Sequence, residues 1–433
     1  MPKISFLGAG STVFAKNVLG DCMMTPSLRD SEIALYDIDP VRLADSERML
    51  ANIARNAGGK AVIRAYGPDD RKKALAGADF AVNAIQVGGY EPCTVTDFQI
   101  PKKYGLRQTI ADTLGIGGIF RALRTIPVML DFARDMEDVC PGALFLNYTN
   151  PMAMVTGAVQ RATGISTVGL CHSVQVCAET LLKGVGMGTD NVRWKIAGIN
   201  HQGWLLSISR DGKDLYPEIK ARSLAGMVPD TDRVRHEIMH RFGYYLTESS
   251  EHSSEYMPYF IKAAYPELIG RFNIPLDEYP RRCVNQIKGW EKMRGDLVND
   301  GSLSHPRTHE YASYIMEAVV TDTPYRIGGN VLNRDLITNL PAKACVEVPC
   351  LVDGGGVSPC RVGELPPQCA ALNMTNVNVQ LLTVEAALTG RRDHVYQAAL
   401  LDPHTAAELP IDRIIALCDE LIEAHGDWLP PLH

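Results

Sequence analysis

Lys3-Ile4-Ser5-Phe6-Leu7-Gly8-Ala9-Gly10-Ser11-Thr12 begins as a short apolar run and passes straight into glycines. A run of this length ended by glycine reads as a strand covered on both faces, with a helix beginning at Ser11 or Thr12. Glycines at 8 and 10 let the backbone approach a pyrophosphate, whose charge meets the free N–H groups and positive end of that helix. This corner is the phosphate-binding turn of a dinucleotide fold. Val13 stands near the place of the fingerprint's third glycine, which leaves the helix-packing part of the pattern incomplete.

Outward from this corner, apolar runs recur at 33–36, 61–65, 80–84, 144–146 and 167–170, with helical patterns at 41–56 and 69–76 between them. That βαβ rhythm predicts a Rossmann-type, doubly wound parallel sheet of the α/β class over residues 1–190. Asp37 closes the second strand, where a carboxylate accepts hydrogen bonds from an adenosine ribose and repels the extra phosphate of NADP, so NAD is the expected cofactor. Asp39 is the less well placed alternative. Asn83 and Gln86, ahead of Gly88-Gly89, lie where the nicotinamide half passes; Gly8, Gly10, Ser11 and Asp37 complete the expected cofactor set. From Val192 the pattern changes to strands at 194–199 and 205–210, an Asp211-Gly212 turn, a strand at 346–352 and a largely helical stretch after 377. Residues 191–433 therefore read as a mixed α+β lobe packed closely on the first.

The 433 residues are 46% hydrophobic and 21% charged with a formal net charge of −7, a globular balance without the basic, aromatic-interleaved runs of nucleic-acid binders. No long apolar segment points to a membrane, and Met1 runs directly into the first strand without a basic leader, so the expected location is the cytoplasm. Eleven scattered cysteines read there as free thiols packed like small hydrophobes, with Cys171 the exception.

Two motifs follow strands on the side where open α/β sheets bind ligands: Asn147-Tyr148-Thr149-Asn150-Pro151 and Cys171-His172-Ser173-Val174. Downstream lies Gly198-Ile199-Asn200-His201. A thiolate and an imidazole are good ligands for a divalent transition metal, and two protein ligands leave the remaining positions open for chemistry. Spacing alone equally fits two unrelated core residues.

The ordered set Gly8-Ala9-Gly10-Ser11, Asn147 to Pro151, Cys171 to Val174, Gly198 to His201, and Thr338-Asn339-Leu340-Pro341 with Val346-Glu347-Val348-Pro349 resembles glycoside hydrolase family 4 over almost the whole chain. That resemblance implies an NAD- and Mn²⁺-dependent glycosidase, outside the usual two-carboxylate scheme. It implies oxidation at C3 of the sugar, deprotonation at C2, elimination of the aglycone, water addition and re-reduction. Cys171 and His201 become the metal ligands, Asn150 and Asp112 substrate-binding residues, and His172 the acid at a position where phospho-α-glucosidases of the family carry aspartate. The base falls in the segment 242–252, with Tyr244 and Glu251 the choices carried forward and Tyr245 and Glu248 beside them. Asp112-Thr113, Gly115, Gly117, Gly118 and Arg121 form a loop and helix start for further sugar or subunit contacts. Phospho-glycosidases of the family use an arginine soon after the Gly-Gly turn; residues 88–106 contain none, and Pro92-Cys93-Thr94 stands in its place. A dianionic phosphate would lack its bidentate partner. Cys-His-Ser-Val matches the α-galactosidase members, so melibiose-like unphosphorylated α-galactosides are the expected substrates, and a homodimer or homotetramer the expected assembly. An α-galacturonidase or α-glucosidase of the family, a 2-hydroxyacid dehydrogenase and a non-catalytic NAD-binding sensor are the alternatives.

Overall fold

The computed structural model describes all 433 residues, and the apolar runs form the strands that the alternation predicts. They are β1 (Lys3–Leu7), β2 (Glu32–Tyr36), β3 (Val62–Tyr66), β4 (Phe80–Asn83), β5 (Leu144–Asn147) and β6 (Thr167–Gly169). All pair in parallel in the order 3-2-1-4-5-6, the arrangement of dinucleotide-binding sheets. Ile4 and Phe6 enter one core cluster and Leu7 the other, as the two-residue period requires. Each of these buried side chains contributes about 1.5–3 kcal/mol. Ser5, inside the same strand, satisfies its hydroxyl on the Ala74 carbonyl at 2.7 Å. The helix after the glycine turn is Thr12–Met24, preceded by a short 3-10 turn at Ala9–Ser11. Val13 is 37% exposed, so its side chain faces away from the helix–strand contact that a third glycine serves elsewhere.

The remaining strands are β7 (Val192–Ile199), β8 (Gln202–Arg210), β9 (Lys213–Asp214), β10 (Tyr245–Leu246), β11 (Tyr325–Leu332), β12 (Cys345–Asp353) and β13 (Gly356–Pro359). They are antiparallel and extend the parallel sheet without a break, β6 pairing β11, then β12, β7, β8 and β10. One thirteen-stranded sheet thus runs through both halves. Gly169, Asn330, Glu347 and Gly198 form a row across its four middle strands. β11 has no counterpart in the sequence reading because Gly328-Gly329 interrupts its apolar pattern. A Cβ at Gly328 would lie 2.6 Å from Val174, and one at Gly329 2.8 Å from the Cys350 sulfur, so close packing demands glycine where sequence rules read a break. No helix is long and apolar enough to cross a membrane.

Candidate active site

The parallel strands deliver their C-terminal ends to one crevice. After β1, Gly8 adopts φ +87°, and a Cβ there would meet the Ala84 carbonyl at 2.8 Å. The Gly10 N–H donates to Asp37 Oδ2 at 2.6 Å, and a Cβ on Gly10 would strike that carboxylate. Asp37 also accepts from the Asp39 N–H, which fixes its orientation at the end of β2 while leaving acceptor capacity on both oxygens. Asp39 itself caps the helix Pro40–Asn56 through Val41 N and Arg42 N. Ser11 Oγ is buried without a hydrogen-bond partner beside the N-terminus of Thr12–Met24, as expected of a hydroxyl built for a bound phosphate. Gln86 is exposed. Asn83 is fully buried; its amide donates to Asn147 Oδ1 and Thr149 Oγ1 and pins β4 to the loop after β5, while its Oδ1 has no hydrogen-bond partner.

Cys171 follows β6 as the N-cap of the helix His172–Gly184, a position that favours negative charge. Asn200 and His201 are the two turn residues of the β7–β8 hairpin, since Ile199 pairs with Gln202. Three strand spacings of about 4.8 Å separate β6 from β7. Yet one donor atom each from Cys171, His201 and Glu248 lie within 4.8 Å of one another, so the two segments lean together over β11 and β12. Glu248 Oε2 stands 3.8 Å from Cys171 Sγ and 3.6 Å from His201 Nε2. Burial, with the Glu248 and Glu347 charges added, pushes the Cys171 thiol far up. A buried thiol, imidazole and carboxylate of this kind need a cation to hold the thiolate, and the donor set suits a divalent transition metal.

Beneath the cluster, Glu347 is 1% exposed and its Oε1 accepts from Asn200 Nδ2 at 3.3 Å and Asn330 Nδ2 at 3.1 Å. Burial pushes its carboxyl up to about 7 despite the nearby His201 and the two amides. The His201 N–H donates to Tyr256 Oη, which donates onward to Thr113 Oγ1. Glu255 takes the N–H groups of Thr109, Ile110 and Ala111 and so fixes the loop that presents Asp112. Asn150 Nδ2 reaches Asp112 Oδ2 at 3.2 Å. Burial would raise the Asp112 carboxyl, but His252 and Arg121 bring it down to about 2. Its Oδ1 has no hydrogen-bond partner; His252 Nε2, at 3.8 Å, is within ion-pair range only.

The candidate bases separate. Glu248 joins the Cys171–His201 cluster, whereas Glu251 pairs with Arg282 at 3.3 Å. Tyr244 packs edge-on against Tyr216. Tyr245 is buried with its hydroxyl on Asp232, and burial drives its pKa well above the phenol range. His172 is half-exposed with Nε2 2.7 Å from Glu310 Oε2. Glu310 and His252 carry no signal in the sequence. Glu347 carries one: a carboxylate inside the apolar run Val346-Glu347-Val348 has to serve something buried.

A family model described as family 4 glycosyl hydrolase matches residues 3–187, and that family's C-terminal domain matches residues 196–405. An α-galactosidase of Bacillus subtilis is 61% identical over 431 residues, covering 99% of both chains. An α-galactosidase of Rhizobium meliloti is 36% identical over 99% of this chain and 89% of its own. Among solved structures, a 6-phospho-α-glucosidase from gut microorganisms in complex with NAD and Mn²⁺ superposes with a TM-score of 0.84 at 21% identity, covering all of both chains.

Proposed function

The chain belongs to family 4 of the glycosyl hydrolases, and from that premise we propose that it is an NAD- and Mn²⁺-dependent α-galactosidase acting on unphosphorylated, melibiose-like substrates. The observation that carries this reading is the convergence of Cys171, His201 and Glu248 above the end of a sheet whose glycine turn and Asp37 form a dinucleotide site. The course is oxidation at C3, deprotonation at C2, elimination of the aglycone, addition of water and re-reduction. When bound, the nicotinamide would supply a reversible hydride acceptor, and a cation, which Cys171 and His201 would hold, a Lewis acid.

The residues of the chain divide the remaining work. Asp112, ionised and with Oδ1 open, accepts a sugar hydroxyl, and Asn150 is turned toward the same place by its bond to Asp112 Oδ2. His172 donates a proton to the departing glycosidic oxygen. Glu248 lies close enough to share the cation with Cys171 and His201. For the C2 proton we retain Glu251 and Tyr244 as acceptors from the segment that carries Glu248. Asp37 holds the adenosine ribose. Asp37→Ala is expected to weaken NAD binding about tenfold to a hundredfold, the worth of a hydrogen bond to a charged group. Unchanged affinity in a fluorescence titration would remove Asp37 from the ribose.

We propose the boundary between cofactor and substrate halves at residues 190/191, inside the interval between the family match that ends at 187 and the one that begins at 196. The assembly we propose is a homodimer or homotetramer. Only Cys283 and Val298 are buried along the 22-residue helix Glu278–Asn299, which leaves Ile287 and Met293 outward. Eleven unpaired thiols suit a reducing cytoplasm. The test is hydrolysis of p-nitrophenyl α-galactoside, α-glucoside, α-galacturonide and their available 6-phosphates with NAD⁺, Mn²⁺ and reductant. Turnover of the α-galactoside above the others, lost on chelation, is the expected result; turnover of a phosphorylated substrate alone would overturn the specificity.

A further inference from the structure

Glu310 belongs to no motif of the chain, yet its carboxylate meets the one exposed imidazole at the mouth of the site. Its Oε2 lies 2.7 Å from His172 Nε2, with the glutamate side chain 15% exposed against 49% for the histidine. The glutamate precedes the helix Tyr311–Thr321, and its N–H donates to Thr308 Oγ1. Thr308 in turn gives its N–H and hydroxyl to Asp21 at 2.7 and 2.6 Å, and Asp21 is paired with His305, neither side chain exposed. Asp21 stands on Thr12–Met24, the helix that follows the glycine turn. Glu310 is thus carried on a buried anchor tied to the cofactor half. Tyr148 and Tyr311 flank the imidazole with centroids at 5.7 and 5.8 Å and limit its swing.

We propose that Glu310 is the positioning residue of His172: it accepts the Nε2–H and thereby turns Nδ1 toward the glycosidic oxygen. This rests on the reading of His172 as the acid. During transfer the Nδ1–H bond breaks and its proton passes to the aglycone oxygen, which keeps the electron pair of the breaking carbon–oxygen bond. The donor is the imidazolium, protonated on both nitrogens; its Nε2–H keeps donating to Glu310 throughout, so loss of the Nδ1 proton leaves the neutral Nε2–H tautomer already in place and the ring has nothing to reorient.

The test uses the enzyme with NAD⁺, Mn²⁺ and reductant and compares kcat/KM on melibiose, whose sugar leaving group needs a proton, with p-nitrophenyl α-galactoside, whose phenolate does not. Glu310→Ala is expected to lower the melibiose value about tenfold to a hundredfold, within the range of general acid catalysis, and the nitrophenyl value by less than about threefold. Glu310→Gln, whose side-chain carbonyl still accepts from Nε2–H, recovers most of the loss. Equal losses on both substrates from Glu310→Ala would overturn the inference in favour of a folding role. His172→Ala is run beside it: no leaving-group dependence there sinks the acid reading itself, whereas dependence in His172→Ala without it in Glu310→Ala sinks only the role of Glu310.

Discussion

Cys171→Ser is expected to lower metal-dependent hydrolysis on the order of a thousandfold, because the cation we propose at this site would supply charge stabilisation that no side chain replaces. Serine fills nearly the same space, and its hydroxyl can still meet Ser173 Oγ, which lies 3.1 Å from the native sulfur. It does not ionise in this range and is a poor ligand for a borderline metal. NAD affinity should stay within about twofold, since the glycine turn and Asp37 belong to other strands and share no partner with Cys171. Parallel measurement of turnover at saturating Mn²⁺ and of NAD binding by fluorescence separates the two. Near-native turnover in the variant would take Cys171 out of the metal shell.

Asp97→Ala carries the largest expected loss of stability. Its side chain is 4% exposed and accepts from Arg124 through both Nη atoms and from His425 on the last long helix, Ile411–His425. Removing the carboxylate strands a guanidinium that is 1% exposed, a cost of about 3–5 kcal/mol. Arg124 also donates Nε–H to the Val87 carbonyl, so the turn on the nicotinamide side loosens with it and NAD affinity falls. Urea unfolding followed by fluorescence checks the first effect. Replacing Asp97 and Arg124 together with apolar residues of similar volume should recover part of the loss, because no buried charge is then left alone. An unshifted urea midpoint in the single variant would refute this account of the pair.

What the sequence made legible follows from how local each feature is. β1, β2, β4, β5 and β6 stood out because strands covered on both faces are largely apolar, and the read ends of all six, the more exposed edge strand β3 included, lie within a residue of the structure's. The joining of both halves in one sheet was not legible, since it depends on Asn330 meeting Gly169 and Glu347 meeting Gly198, pairings that no local pattern announces. Cys171 and His201 were visible as motif residues, but their meeting over β11 and β12 was not. Glu248 was one of several candidate bases in its segment, and its nearness to Cys171 and His201 had no local signal. Asn83 could be read only by its place at a strand end; that its amide also ties it to Asn147 and Thr149 depends on neighbours distant in the chain. Glu310 shows the limit most plainly: it matters through one contact with a residue far away in the chain.

The row Gly169, Asn330, Glu347 and Gly198 has a mechanical consequence. It joins β6 to β11 and β12 to β7 by one residue pair each, and Glu347 is clasped by amides from β11 and from the His201 turn. Swinging one half against the other would break those pairs and strain that clasp, so the floor beneath the reacting sugar is built to stay together. Entry and exit fall to the rim of the site, where His172 is half-exposed. Any step that limits turnover by motion is therefore expected at that rim rather than in the floor.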